Sequence, residues 1–169
     1  MDMKLKGQQA LVTGSTAGIG FAIAQALAAE GAQVTLNGRS SASVDKALQR
    51  LRDAVPGVVC NGVAADAGTA AGCAQLVQAK PRVDILVNNL GIFDPKPFEE
   101  IPDADWLHFF ETNVMSGVRL SRAYLPTMKQ RNQGRIVFIS SESGICPPAE
   151  MVHYGMTKSA QLSVARGLA

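Results

Sequence analysis

Gln8-Gln9-Ala10-Leu11-Val12-Thr13-Gly14-Ser15-Thr16-Ala17-Gly18-Ile19-Gly20 is the stretch on which the fold turns. Gln8 to Thr13 reads as a buried strand, Gly14 to Gly18 as a glycine-rich turn, and the residues from Ile19 onward as a helix. The apolar residues Ile19, Ala22, Ile23, Ala26 and Leu27 recur at the offsets of one helical face. Gly31 ends the helix as a C′ glycine does. A glycine turn between strand and helix lets backbone N–H groups approach a pyrophosphate, and the helix N-terminus adds positive partial charge for the anion. Gly14, Ser15, Thr16, Gly18, Ile19 and Gly20 are therefore candidate cofactor-binding residues. The plain alternative is a glycine-rich turn that holds nothing.

Outward from that turn the cycle repeats. A strand over Gln33 to Asn37 precedes a helix from about Ser43 to Asp53; a strand over Val58 to Val63 precedes a helix from about Thr69 to Ala79. Asp84 to Asn88 is an apolar run typical of a strand covered on both faces. A long helix from about Asp103 to Lys129 comes next, then a strand over Arg135 to Ser140 and a last helix from about Ala149 to the end. Such alternation predicts an α/β fold, a Rossmann-like doubly wound parallel sheet in three αβα layers, with residues 1–169 as a single domain.

Composition narrows the function. Of 169 residues 47% are hydrophobic, enough for a core. The net charge of +2 comes from scattered basic residues, not a phosphate-tracking stripe, which argues against nucleic acid. Cys60, Cys73 and Cys146 contain no Cys-x-x-Cys, and His108 and His153 are the only histidines, so neither a disulfide framework nor a metal site is expected. No apolar run approaches the ~20 residues of a membrane helix, and the first residues lack a signal-peptide core. The expectation is a cytoplasmic protein with no membrane partner.

Tyr154 and Lys158, four apart near the start of the last helix, share a face. An ammonium beside a phenol favours the phenolate, so Tyr154 can give a proton to a carbonyl oxygen or take it back. The alternative is an exposed aromatic–lysine pair. Ser141 closes the run from Ile136, and the carboxyl ends of parallel strands are where active-site residues gather; it competes with Ser140 and with a plain strand-end turn. Asn113 falls in an apolar stripe of Trp106, Phe109, Phe110, Val114, Gly117 and Val118. A carboxamide facing a core costs about 1–3 kcal/mol if unsatisfied, so it must have partners. Strand two ends Asn37-Gly38-Arg39-Ser40, without the carboxylate that bonds a ribose 2′-hydroxyl. Arg39, helped by Ser40, would bind a 2′-phosphate and favours NADP(H) over NAD(H); the alternative is a solvated loop arginine.

The Gly-x-x-x-Gly-x-Gly spacing of Thr13 to Gly20, Asp66, Asn88-Asn89-Leu90-Gly91, Asn113, Ser141 and Tyr154-Gly155-Met156-Thr157-Lys158 occur in one order along the chain. In this the sequence resembles the classical short-chain dehydrogenases/reductases, departing at Leu90, where the family usually has alanine. The resemblance implies a catalytic set of Asn113, Ser141, Tyr154 and Lys158, the family interval selecting Ser141 over Ser140. It further implies that Lys158 holds the nicotinamide ribose and that the helix kinks at Asn113, with a water there relaying protons through Lys158. Asp66 would bond the adenine amino group, Asn88 would shape the cofactor groove, and Gly91 joins the cofactor-binding residues. The implied activity is NADP(H)-dependent hydride transfer between nicotinamide and a small-molecule carbonyl or secondary alcohol, in the manner of a 3-oxoacyl reductase. Phe93, Asp94, Pro95 and the loop Ile145 to Glu150 would line the substrate pocket. Homo-oligomers, dimers or tetramers, would form through the long helix and the tyrosine helix.

Family members continue past the position of Ala169 with a sixth strand, a substrate-covering loop and a seventh strand. A chain lacking these C-terminal strands is expected to leave strand five as a sheet edge and to turn over weakly or not at all. A truncated, catalytically inactive dinucleotide-binding module is therefore the competing reading. A third is an isomerase or dehydratase on the same nucleotide fold.

Overall fold

The structure, a computed structural model, describes residues 3–169. Its elements are β1 (Gln9–Val12), α1 (Gly18–Ala29), β2 (Gln33–Gly38), α2 (Ser41–Ala54), β3 (Cys60–Ala64), α3 (Ala70–Ala79), β4 (Ile85–Asn88), α4 (Asp103–Phe110), α5 (Ser116–Gln130), β5 (Arg135–Phe138) and α6 (Val152–Leu168). Among the described residues the strands form one parallel sheet in the order β3-β2-β1-β4-β5. This is the doubly wound αβα arrangement, with β5 at an edge. The order reverses between β1 and β4, which leaves a crevice beyond their carboxyl ends.

The strand period of two sends each strand's side chains to two cores. Ala10, Val12, Val34, Leu36, Ile85 and Val87 pack with Phe21, Ala24 and Ala28 of α1 and Val44, Leu48 and Leu51 of α2. Leu11 and Leu86 face the other way, onto Cys73 and Leu76 of α3 and Leu120, Tyr124 and Met128 of α5.

Two features depart from the reading of the sequence, and a third gives the expected break at Asn113 its form. The packed face of α1 is Gly20, Phe21, Ala24 and Ala28, whereas Ile19 is 66% exposed. Gly20 and Ala24 allow a close helix–sheet approach, while Phe21, with Ile23 and Leu27 partly buried beside it, packs on the same core. The long helix is interrupted by a π segment, Glu111–Met115, between α4 and α5. Its widened turn buries Thr112, Asn113 and Val114 in succession, which a regular 3.6-residue period does not do. Lastly, β5 stops at Phe138, and α6 starts at Val152 after a 3₁₀ turn over Ala149–Met151. Ser141 caps another short turn, Glu142–Gly144, between them. No helix among the described residues is long and apolar enough to cross a membrane.

Candidate active site

The turn after β1 is shaped by two glycines with positive φ, Gly14 at +59° and Gly18 at +55°. Gly20 is demanded by space instead: a Cβ there would stand 2.4 Å from Asn89 Nδ2 and 2.6 Å from the Gly14 carbonyl oxygen. Helix α1 begins at Gly18 with no side-chain cap and no acidic residue in its first turn. By contrast, Ser40 caps α2 and Thr69 caps α3. The first N–H groups of α1 thus point, with the helix dipole, at whatever anion enters.

Buried polar side chains hold this turn in place. Asn89 Nδ2 donates to the carbonyls of Thr13 and Gly14 at 2.9 and 3.1 Å, while Thr13 Oγ1 accepts from the N–H groups of Asn89 and Leu90, both at 3.0 Å. Asn37 Oδ1 accepts from Gly14 N–H, and its Nδ2 donates to the carbonyls of Val63 and Ala65, tying three strand ends together. Ser15 is fully buried. Its hydroxyl donates to the Val12 carbonyl and accepts from Asn37 N–H, so it braces the turn from behind and does not face a ligand.

A cleft of about 460 Å³ opens over these strand ends. Gly14, Thr16, Arg39, Asp66, Leu90 and Gly91 line it. Asp66 Oδ1 accepts from Gly68 N–H, which fixes the carboxylate at the rim. Arg39 is exposed. The Ser40 hydroxyl bonds Ser43 as the helix cap, outside the cleft lining. Asn88 is also elsewhere: its Nδ2 donates to Ser121 Oγ on α5 at 3.3 Å. Ile19 is exposed on the first turn of α1. Sequence reasoning missed His108, Glu111 and Thr112 in the lining, although their spacing puts them on one helical face. A Cβ on Gly18 would meet nothing within 4 Å, and this open space at the α1 N-terminus suits a dinucleotide's pyrophosphate.

Beside Gly91, Lys158 and Asn113 approach one another. A Cβ on Gly91 would lie 3.5 Å from Lys158 Nζ and 3.6 Å from Asn113 Oδ1. Asn113, 1% exposed, finds its partners across the fold: Oδ1 accepts from Ile92 N–H, and Nδ2 donates to the Ile92 carbonyl and to Thr157 Oγ1. Lys158 Nζ donates to the Ile139 carbonyl at 2.8 Å, just before Ser140-Ser141, and lies 5.5 Å from the centre of the Tyr154 ring. Burial pulls the Lys158 ammonium down to about 8. Tyr154 is half-buried, with Phe93 edge-on at 6.2 Å. Ser140 Oγ donates to the Lys158 carbonyl and so anchors α6. Ser141 Oγ contacts only Ser143 among its hydrogen-bond partners, accepting from its N–H at 3.2 Å. Gln161, which the sequence did not single out, bridges Lys158 Nζ and the Asn113 carbonyl.

The chain matches the family model for short chain dehydrogenases over residues 8–169. It is 52% identical, along its whole length, to the uncharacterized oxidoreductase YvaG of Bacillus subtilis, and 34% identical over 99% of its length to the 3-oxoacyl-[acyl-carrier-protein] reductase FabG of Vibrio cholerae. It spans 64% of YvaG and 68% of FabG. The L-sorbose reductase of Gluconobacter frateurii, solved with NADPH and L-sorbose, superposes with a TM-score of 0.94 at 34% identity, covering 99% of this chain and 65% of that one. A match that runs from β1 to the end of α6, through the glycine turn, the buried asparagine and the Tyr-Lys helix, makes this chain a member of the short chain dehydrogenase family.

Proposed function

We propose that this chain binds NADP(H) in preference to NAD(H) and interconverts a small-molecule carbonyl and its secondary alcohol. The observation that carries the reading is the meeting of Lys158 and Asn113 against Gly91, a residue that lines the same cleft as the Gly14 turn. The α1 N-terminus and Gly14 would hold the pyrophosphate, Asp66 the adenine side and Arg39 the 2′-phosphate. When bound, the nicotinamide supplies or accepts hydride at the substrate carbon. Tyr154 transfers its phenolic proton to the carbonyl oxygen, and Ser141 donates a hydrogen bond to that same oxygen. The positive charge on Lys158 stabilises the phenolate left behind. Phe93 and Ile145, 70% and 78% exposed, would form an apolar mouth near Tyr154. The FabG and L-sorbose reductase relatives extend the reading to oxoacyl or sugar-like carbonyls. Leu107 and Phe110, exposed on α4, support pairing of two copies across the long helix.

Fluorescence titration with NADPH and NADH, and then nicotinamide absorbance against a ketone panel, tests the reading. Tighter binding of NADPH is the expected result, with turnover that is weak at most and vanishes in Tyr154→Phe while binding persists. No binding of either nucleotide by the folded chain overturns it. Binding without turnover in the unmutated chain selects the inactive module instead, and product formation without net cofactor consumption selects an isomerase.

A further inference from the structure

Gln161 lies three residues beyond Lys158 on α6 and is 1% exposed. Its Oε1 accepts from Lys158 Nζ at 3.1 Å, and its Nε2 donates to the Asn113 carbonyl at 2.6 Å. The orientation of the amide is dictated by its neighbours. An ammonium only donates and a backbone carbonyl only accepts, so the flipped amide would lose both bonds. The carbonyl it reaches belongs to the π segment Glu111–Met115, where the widened turn changes the hydrogen-bonding pattern of the helix. Lys158 Nζ thus has two fixed acceptors, Gln161 Oε1 and the Ile139 carbonyl at 2.8 Å. Its remaining N–H is left for the side of Gly91, itself a residue of the cleft wall.

We infer that Gln161 is a positioning residue: its carboxamide clamps the Lys158 ammonium to the π segment and leaves its third N–H for the Gly91 side. The role of the clamped ammonium rests on the function proposed above; the clamp itself does not. The Asn113 carbonyl, to which the family resemblance assigns a relaying water, here accepts from a side chain. A carboxamide holds position without passing a proton along, so what Gln161 contributes is geometry and a negative dipole facing the ammonium. Lys158 is buried, with Tyr154 the titratable group beside it on the same helix. An acceptor added to or removed from its shell therefore moves its titration in a known direction.

The test is competitive acetylation of the folded chain across a pH series, with peptide mass spectrometry reading the acylation midpoint of Lys158. Gln161→Met keeps the length and apolar bulk of the side chain but removes the acceptor, and is expected to lower the midpoint by about one unit. Gln161→Glu puts a carboxylate against the ammonium and is expected to raise it by about one unit or more. Opposite shifts in two variants of nearly the same shape are not produced by a packing role. The affinity for NADPH is expected to fall about tenfold in Gln161→Met, the worth of one charge-assisted hydrogen bond. Identical midpoints in the unmutated, Met and Glu forms, all melting cooperatively, overturn the inference. Where the Met form does not fold, an unmoved midpoint in the Glu form overturns it alone. Failure of the unmutated chain to bind NADPH would count against the proposed function, while the acylation midpoints would still decide the clamp.

Discussion

Gly20→Ala isolates the steric fit of the turn from backbone strain. Gly20 does not have a positive φ, so alanine is conformationally acceptable there and the cost is one of space. The new Cβ would stand 2.4 Å from Asn89 Nδ2, 2.6 Å from the Gly14 carbonyl oxygen and 3.0 Å from Ser15 Cα. Two of the three are backbone atoms and cannot rotate away. Forcing a methyl into packed surroundings costs about 1–3 kcal/mol. Displacing Asn89 also breaks its bonds to the Thr13 and Gly14 carbonyls, each worth about 1 kcal/mol. The expected loss of unfolding free energy is about 2–4 kcal/mol, read in urea as a midpoint lowered by about 1–2 M. NADPH affinity is expected to fall at least about tenfold, because the displaced carbonyl belongs to the pyrophosphate turn. The control is Gly57→Ala, where φ is +79° but a Cβ meets open space. Its cost is backbone strain alone, about 1–2 kcal/mol, with NADPH binding unchanged. A Gly20→Ala protein within about 0.5 kcal/mol of the parent, with intact affinity, would show that the close packing of α1 on Asn89 does not shape the site.

Arg39→Ala is expected to weaken NADPH binding about tenfold, the worth of a charge-assisted bond to the 2′-phosphate, and to leave NADH binding unchanged in parallel titrations. His153 is fully buried against Trp106 and Phe109, with no hydrogen-bond partner on either ring nitrogen among the described residues. Burial lowers its affinity for a proton, against the smaller opposing pull of Asp105. The unfolded chain therefore binds more protons there, and this part of the stability, complete above the unfolded pKa of about 6.5, is lost as pH falls. Urea midpoints between pH 8 and pH 5 should drop in the parent and drop less in His153→Leu. Asp84 is 5% exposed; burial raises its pKa, but Gln9 N–H, Arg131 and Arg82 outweigh this and hold it below the usual carboxylate range. Its contribution is present above about pH 4 and lost as pH falls further, so Asp84→Asn should flatten the acid limb of the stability curve below that pH.

The strand-helix alternation and the Tyr154–Lys158 spacing were legible because each is set by residues close together in the chain. Val12 and Leu11 declare two cores by alternation alone, and residues four apart on a helix must share a face. What was illegible depends on partners far away in sequence. Ser15 sits among glycines where a ligand contact is expected, yet its hydroxyl is taken by Val12 and Asn37. Asn37 was notable in the sequence for the missing carboxylate; in the fold it is the brace between β1 and β3. On α1 the apolar pattern is right for Ile23 and Leu27, which pack on the core, but not for Ile19, which is exposed where Gly20 lets the helix approach Asn89. Asn113 lies between these extremes. Its place in an apolar stripe announces that it must be bonded, but its partners on Ile92, 21 residues earlier in the chain, arise only from the π segment that turns it inward. Gln161 takes the same logic one step further. Its spacing from Lys158 is plain on a helix, whereas the carbonyl that orients it belongs to another helix and is presented only where the helical period breaks. Tyr154 and Lys158 can thus be read from spacing within a single helix, while the groups that surround Lys158 are specified by how the elements meet.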